Sequence, residues 1–292
     1  MQSQKSFEKE NRGMLYLVPT PIGNLEDMTI RGIRILKEVD LIASEDTRNT
    51  QKLLNHFEIK TSQISFHEHN TQERIVQLLE KMHEGVTIAQ VSDAGMPSIS
   101  DPGHELVVDC IEAGIPVVPL PGANAGLTAL IASGIAPQPF YFYGFLPRKK
   151  KEQIQELKEL NQRPETLILY ESPHRLKEVL KNMVSVFGEE RRIVCCRELT
   201  KRYEEFIRGT IAEALEWATT SEVRGEFCLI IEGNSAASLI AEADTSWSSM
   251  TLSEHVNAVI DERGLTSKEA IKEVAKLRDI KKQEVYAAYH EL

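Results

Sequence analysis

Four polar loops in the first half of the chain carry the side chains best suited to chemistry. Residues 18–24 read VPTPIGN, in which two prolines fix the backbone and Gly23 permits a close turn. Residues 44–48 read SEDTR and place two adjacent carboxylates beside an arginine. Residues 92–103 read SDAGMPSISDPG, and residues 119–125 read PLPGANA. Each loop alone is typical of turn chemistry, so the case for a site depends on where the loops lie.

Each loop follows a short apolar run that predicts a buried strand. These runs cover 14–18, 39–43, 86–91 and 116–120. Helical periodicity between them predicts helices over 30–37, 71–83 and 103–113, with Gly85 and Gly114 at helix ends. This alternation predicts a mainly parallel sheet with helices on both faces. Because ligands bind beyond the carboxyl ends of parallel strands, we expect the four loops to describe one site.

A second α/β lobe is predicted after the proline-rich stretch 136–139. Its strands are expected at 140–145, 166–170, 192–196, 205–208 and 227–231. The lobes are therefore expected to span 14–135 and 136–233. The segments YESPHR (170–175), CRELTK (196–201) and RGEF (224–227) add polar side chains to the second lobe. Glu171 and Arg175 are interpreted as facing the first lobe across a cleft, or alternatively as a helix-start carboxylate and a surface cation.

The two ends of the chain differ from the lobes. Residues 1–13 are polar and lack the apolar core of a signal peptide, which indicates a disordered leader on a cytoplasmic protein. The Ser/Ala-rich stretch 234–250 is typical of a linker. Residues 251–292 predict a three-helix module that resembles a helix-turn-helix. This module either contacts nucleic acid or has a structural packing role. Its helix signals are Gly264 after the first helix, a Thr266–Glu269 capping box and Asp279 as the cap of the third.

Composition removes several classes of protein. No apolar stretch is long enough to cross a bilayer, so no membrane association is expected. The sequence contains no GxGxxG after the first strand, no GxxxxGK[ST], no HExxH and no GxSxG. The motif His67-Glu68-His69 lacks a third ligand nearby in sequence, so no metal site is predicted. Without CxxC spacing, we expect the cysteines to be reduced and buried; they are Cys110, Cys195, Cys196 and Cys228.

Net charge favours a small-molecule enzyme over a nucleic-acid binder. The chain carries 34 Lys and Arg against 44 Asp and Glu, a balance of −10. Any contact with RNA must therefore come from local basic patches. The two candidates are Arg148-Lys149-Lys150-Lys151 and Arg191-Arg192, for which a solvated loop is an equally good explanation.

The chemical segments together resemble a known family. The stretches VPTPIGNLEDMT, ASEDTRNT, VSDAGMPSISDPG, PGANA, GFLPRK, YESPHRL, RELTK and GEFCLIIEG resemble the ribosomal small-subunit methyltransferase I family of the tetrapyrrole-methylase (class III) superfamily. The resemblance runs in collinear order over about residues 14–233. It implies a two-lobe α/β tetrapyrrole-methylase-like fold with a C-terminal helical extension, and S-adenosylmethionine in the interlobe cleft. It also implies a homodimer that methylates the ribose 2'-hydroxyl of a cytidine in the decoding region of small-subunit ribosomal RNA. The substrate is either the naked RNA or the RNA within the small ribosomal subunit.

Residue roles follow from motif positions and from the reaction. A ribose 2'-hydroxyl is a poor nucleophile, so a carboxylate base is expected, and Glu45 and Asp46 are the candidates. Arg48 could hold a phosphate bidentately or form a salt bridge to Glu45. The predicted cofactor-binding residues are Pro19, Thr20, Pro21, Gly23, Asn24, Asp93, Ala94, Gly95, Met96, Pro97, Asn124, Ala125, Tyr170, Glu171, Arg197, Gly225 and Glu226. The predicted RNA contacts are Arg48, Arg148, Lys149, Lys150, Lys151, His174, Arg175 and Lys201.

Two other functions remain open at this point. A small-molecule methylase of the same superfamily, acting on a tetrapyrrole, agrees with the acidic net charge. The motifs around Glu45 and Tyr170 match the ribosomal RNA group instead. A non-enzymatic binding or assembly factor could have kept the fold, although intact cofactor loops argue against it.

Overall fold

The apolar runs of the first lobe form a parallel sheet in the computed structural model, which describes residues 3–6, 13–67, 71–234, 250–278 and 280–290. Its spatial order is β3-β2-β4-β1-β5, and all neighbouring strands are parallel, as predicted. The short β3 has no apolar run that could have predicted it. The strands are β1 (Leu15–Leu17), β2 (Leu41–Ser44), β3 (Gln63–Ser65), β4 (Ile88–Val91) and β5 (Val117–Pro119).

Helices cover both faces of this sheet. The helices are α1 (Ile30–Glu38), α2 (Thr47–His56), α3 (Thr71–His83) and α4 (His104–Glu112). Leu36 of α1 and Leu54 of α2 pack into one core, while Leu78 of α3 and Leu106 of α4 pack into the core on the other face. With both faces buried, the polar loops at the carboxyl ends of the strands remain the accessible part of the sheet.

The second lobe contains a mixed sheet in the order β6-β7-β10-β8-β9. Only β6 and β7 are parallel; the other neighbours are antiparallel. The sequence pattern predicts all five strands to within two residues at each end. They are β6 (Phe140–Phe145), β7 (Thr166–Glu171), β8 (Arg192–Arg197), β9 (Glu205–Thr210) and β10 (Phe227–Ile231).

The two faces of the second sheet bury different helices. The helices are α5 (Ala125–Ser133), α6 (Lys150–Leu160), α7 (Pro173–Phe187) and α8 (Ile211–Thr220). Leu167 and Leu169 of β7 point toward α6, α7 and α8, whereas Ile168 and Tyr170 point toward α5 and Ile22 of the first lobe. By packing, α5 belongs to the second sheet, so the lobe boundary expected at residue 136 falls after a helix that already serves the second lobe.

The C-terminal residues form a separate unit with residues 161–164. Helices α9 (Leu252–Arg263), α10 (Ser267–Leu277) and α11 (Lys282–Tyr289) share a core that includes Val256, Val274 and Val285. The structure agrees with the helix signals of the sequence, since Gly264 ends α9 in a left-handed conformation and Thr266 and Glu269 form the capping box of α10. Asp279 lies outside the described residues, and the N-cap of α11 is Lys281.

Several expected features fall on other residues that the structure does not describe. Most of the leader 1–13, most of the linker 234–250, and Glu68 and His69 lie outside the described ranges. No helix among the described residues is long and apolar enough to cross a membrane. All four cysteines are buried free thiols, and burial raises the pKa of Cys110 and of Cys195 to about 12.

Candidate cofactor and substrate site

The loops after β1, β4 and β5 are joined at the carboxyl edge of the first sheet. Thr20 and Gly95 exchange two backbone hydrogen bonds of 3.0 Å, and the Thr20 hydroxyl donates to the Ser92 carbonyl at 3.0 Å. A Cβ atom on Gly122 would lie 2.5 Å from Cβ of Pro19, so the loop after β5 packs tightly on the loop after β1. The structure therefore brings three of the chemical loops into direct contact.

Asp93 joins the loop after β2 to the other three. Its carboxylate accepts hydrogen bonds of 3.1 Å from the Asp46 backbone N–H and from the Asn49 side-chain amide. Its own N–H donates to a Glu45 carboxylate oxygen at 3.4 Å. Asp93 itself stays exposed. A cavity of about 210 Å³ opens here, lined in part by Thr20, Pro21 and Asp93.

The two predicted catalytic carboxylates lie in opposite electrostatic environments. Burial, reinforced by the negative charges of Asp101 and Asp93, raises the pKa of Glu45. Asp46 is the N-cap of α2, and hydrogen bonds from the Arg48 side chain and backbone lower its pKa to about 2. Arg48 pairs with Asp46 at 2.8 Å, not with Glu45 as one interpretation expected. A raised pKa suits a general base, so Glu45 is the better candidate.

Asp101 is a site residue that the sequence prediction left out. Burial raises its pKa, and the nearby charge of Asp93 adds to the effect. Asp101 thus shares one acidic cluster with Glu45 and Asp93. The signal that could have found it is the second aspartate in the loop SDAGMPSISDPG, eight residues after Asp93.

Gln90 holds the loop after β4 in place and was also not predicted. It is 1% exposed, and its amide nitrogen donates to the Pro102 carbonyl at 2.9 Å and to the Ser98 hydroxyl at 3.3 Å. A Cβ atom on Gly103 would lie 1.8 Å from this nitrogen, so only glycine fits there. A lone amide in an apolar strand just before a polar loop is the sequence signal for this role.

On the second lobe, Tyr170 reaches the start of α5. Its hydroxyl accepts a hydrogen bond of 3.0 Å from the Gly126 N–H, and the Asn124 side chain caps the same helix by accepting from Leu127 N–H at 2.9 Å. Burial raises the pKa of Tyr170 to about 12, so the phenol stays neutral. Asn124, Ala125 and Tyr170, all predicted cofactor residues, therefore lie together.

Glu171 and Arg175 do not face the first lobe, which corrects that interpretation. Glu171 follows Tyr170 in β7, so strand alternation points it to the opposite face of the sheet. Its carboxylate accepts from the Ser172 N–H at 2.8 Å and lies 3.5 Å from Arg175 Nε. Arg175 donates to the carbonyls of Leu146 and Pro147 at 2.9 and 3.0 Å. The pair braces the loop between β6 and α6.

Lys201 extends from the second lobe over the first-lobe loop at Gly23. A Cβ atom on Gly23 would lie 2.4 Å from Lys201 Cγ. The ammonium contacts Glu198 at 3.0 Å and Glu226 at 2.8 Å. Although burial opposes it, these hydrogen bonds raise the pKa of Lys201, which stays cationic. Glu198 adopts a φ of 50°, in the left-handed region, and backbone strain of this kind clusters at functional sites.

The remaining predicted residues are divided between tethered and accessible side chains. Arg197 is tethered in the second lobe, donating to the Arg224 carbonyl at 2.7 Å and to Glu205 at 3.0 Å. In the basic patch, Lys149 pairs with Glu152 and Lys150 with Glu178. Neither Arg148 nor Lys151 has an ion pair among the described residues. Exposed members of the predicted RNA set are Arg48, Arg148, Lys149, Lys150, Lys151 and His174.

Several solved structures share this fold. A cobalt precorrin-4 methyltransferase matches with a TM-score of 0.58 at 18% identity, over 75% of this chain and 94% of its own. Uroporphyrin-III C-methyltransferase from Thermus thermophilus, complexed with S-adenyl homocysteine, matches with a TM-score of 0.55 at 20% identity, over 75% and 97%. Diphthine synthase matches with a TM-score of 0.59 at 10% identity, over 76% and 90%. At these identities the likeness shows the fold.

Sequence relatives are much closer. Ribosomal RNA small subunit methyltransferase I of Bacillus subtilis is 56% identical over 99% of both chains. The proteins of that name from Halalkalibacterium halodurans and Synechocystis are 53% and 46% identical, over 100% and 96% of this chain and 100% and 98% of theirs. Residues 14–215 match the family described as Tetrapyrrole (Corrin/Porphyrin) Methylases. The chain therefore belongs to the tetrapyrrole methylases and, among them, to the ribosomal RNA small subunit methyltransferase I family.

Proposed function

We propose that the protein uses S-adenosylmethionine to methylate the ribose 2'-hydroxyl of a cytidine in the decoding region of small-subunit ribosomal RNA. Relatives that share about half of their residues over full length are named for action on this RNA. The observation that carries the proposal is the meeting of the loops after β1, β2, β4 and β5 through Thr20, Gly95 and Asp93. The substrate is ribosomal RNA in the small subunit, and the protein acts as a homodimer.

The joined loops fit S-adenosylmethionine. Gly95 has a φ of 81°, in the left-handed region that favours glycine, and without a side chain it leaves the main chain open to a ligand. Asp93 and the start of α5 at Asn124 offer polar groups beside it. When bound, the cofactor supplies a methyl group already activated on sulfonium. The chain must then align the nucleophile and accept its proton.

Glu45 is the residue that we propose as proton acceptor. Its carboxylate lies at the end of β2, beside Asp93, and its raised pKa makes it a stronger base than an ordinary glutamate. Asp46 is committed to Arg48 and to the N-terminus of α2, and its low pKa makes it a weak base. Tyr170 and Lys201 keep their protons at neutral pH and are unsuited to this role.

A comparison of three substrates tests the proposed function. Radiolabelled S-adenosylmethionine is incubated with the protein and with naked 16S ribosomal RNA, small ribosomal subunits or uroporphyrinogen. We expect label in RNA, most strongly in the subunit. Label in the tetrapyrrole alone would replace the proposal with the small-molecule methylase that the net charge of −10 favours. Cofactor binding by calorimetry without transfer to any of the three would support a binding factor instead.

A further inference from the structure

Phe145 is a large aromatic side chain left exposed at the edge of the second-lobe sheet. It ends β6, pairs in register with Tyr170 of β7, and is 56% exposed. Its ring meets the Tyr170 ring edge-on, with centroids 5.6 Å apart, and Phe142 supports the same tyrosine at 5.2 Å. Phe145 therefore forms the outer member of an ordered row of three rings.

A β-bulge determines which face Phe145 occupies. Phe142 and Phe145 are three residues apart, so regular alternation would place them on opposite faces of the sheet. The register shifts between Phe142 and Gly144, and Gly144 adopts a φ of 83°. The extra residue turns Phe145 to the face of Tyr170 and α5, which also receives Ile22 of the first lobe. Bulges that redirect a side chain occur often beside active sites.

The surroundings of Phe145 combine the cofactor edge with positive charge. A Cβ atom on Gly144 would lie 3.9 Å from the hydroxyl of Ser100, in the loop after β4, and Tyr170 bonds the start of α5. In the other direction, Arg148 follows after three residues, a span of at most about 11 Å. Arg175 fixes the intervening carbonyls of Leu146 and Pro147, so ring and cations have a set spacing.

We infer that Phe145 is the platform on which a base of the RNA substrate stacks while its ribose lies at the carboxylate cluster. This inference rests on the proposed function. A base splayed out of its stack is commonly held on an aromatic ring, and a splayed nucleotide leaves its ribose free to enter a site. The flat face of a base matches the exposed ring, while Arg148 and Lys151 are placed for the neighbouring phosphates.

Binding of matched RNA fragments to Phe145→Ala tests the platform. A short single-stranded RNA with the target cytidine is compared with the same RNA carrying an abasic ribose at that position. We expect Phe145→Ala to bind the intact RNA about tenfold more weakly than the unaltered protein, and the abasic RNA equally well. Phe145→Trp should retain affinity, because stacking requires only an aromatic face.

Phe140→Ala is the control for loss of an aromatic side chain. Phe140 begins the same strand, pairs with Thr166 on the same face and is 41% exposed, but it lies at the opposite end from the cofactor loops. This variant should bind both RNAs as the unaltered protein does. Calorimetry with S-adenosylmethionine should give the same affinity for both alanine variants.

Three results would overturn the inference. The first is an equal loss of affinity for both RNAs in Phe145→Ala, and the second is unchanged affinity for RNA. The third is a loss of affinity for the cofactor alone, which would place the ring against the adenine of the cofactor. If the unaltered protein failed to methylate RNA in subunits, the proposed function would fall together with the platform. If the unaltered protein methylates RNA fully and Phe145→Ala binds RNA equally well, the platform is disproved and the proposed function stands.

Discussion

At the scale of single residues, the proposed chemistry depends on an asymmetry between two adjacent carboxylates. Glu45 lies among Asp93 and Asp101, whereas Asp46 is bound by Arg48. Proton acceptance requires the ionised form of Glu45. Its raised pKa therefore shifts the acid limb of the pH–rate profile toward neutral pH. We therefore expect single-turnover methyl transfer to fall as pH drops through the pKa of Glu45.

Glu45→Gln should slow methyl transfer by about 100-fold or more, because the amide keeps the shape of the side chain but accepts no proton. Cofactor affinity should stay within about twofold, because the amide keeps the position of the carboxylate although it loses the charge. Asp46→Asn is the matched control and should have the smaller effect on rate. The measurement is single-turnover transfer with saturating cofactor, and equal rates for Glu45→Gln and the unaltered protein would remove Glu45 as the base.

The same substitution has a predicted sign on stability. A carboxyl group whose pKa is raised on folding contributes stability below its unfolded pKa and loses it as pH rises through the folded pKa. At pH 7 Glu45 is therefore an ionised group in an unfavourable environment. Glu45→Gln should keep or raise the melting temperature at pH 7, and a marked drop would show that its carboxylate is structural.

At the scale of elements, Gln90 links a buried strand to a loop of the site. Gln90→Met preserves volume but removes the hydrogen bonds to Pro102 and Ser98. We expect a loss of about 1–3 kcal/mol in the free energy of unfolding. Cofactor affinity should also fall, because the loop that carries Asp93 and Gly95 loses its anchor. Urea unfolding and calorimetry measure the two effects, and unchanged cofactor binding would show that the loop keeps its shape without Gln90.

Arg175 is the corresponding anchor on the second lobe. Arg175→Met removes the counter-ion of the buried Glu171 carboxylate and the hydrogen bonds to the carbonyls of Leu146 and Pro147. Hydrogen exchange in 145–151 should rise and RNA affinity should fall, although Arg175 itself need not touch RNA. Adding Glu171→Gln to this variant should restore part of its stability, but hydrogen exchange in 145–151 should stay raised. Normal exchange in this segment would contradict the role of Arg175 as a brace.

The basic patch after β6 can be tested by its response to salt. Replacing Lys149, Lys150 and Lys151 with Ser should reduce the slope of log affinity against log salt by about 2, because each single-strand phosphate contact contributes about 0.7. Cofactor affinity should not change. Replacing Arg191, which is half-buried and bonds the Glu232 carbonyl, tests the other candidate patch in parallel. An unchanged slope for the triple variant would direct the search to Arg191-Arg192 or to the C-terminal helices.

Much of the fold could be predicted from the sequence because long apolar runs and glycine helix ends determine it locally. The strands of the second lobe, the parallel first sheet and the capping box at Thr266 are examples, and the family resemblance is confirmed. Features set by tertiary pairing could not be predicted. The bulge at Gly144 depends on the register with β7, and the bracing by Arg175 depends on carbonyls distant in sequence. The residue roles remain predictions.

At the scale of the whole molecule, an acidic chain must bring RNA to a site rich in carboxylates. The net charge of −10 and the cluster of Glu45, Asp93 and Asp101 repel phosphate, whereas the cations of 148–151 lie on the other lobe. We expect this separation to leave the ribose near the carboxylates while the phosphates stay at the rim. The neutral ring of Phe145 fits a position between the carboxylate cluster and the cations of 148–151.

Identification of the methylated nucleoside distinguishes ribose 2'-O-methylation of RNA from every other methyl transfer. Small subunits that lack the modification are treated with labelled S-adenosylmethionine and the protein, and their RNA is digested to nucleosides and separated by chromatography with mass detection. We expect label in 2'-O-methylcytidine, close to one methyl group per subunit. Label in a base-methylated nucleoside, or no transfer while a tetrapyrrole is methylated, would contradict it.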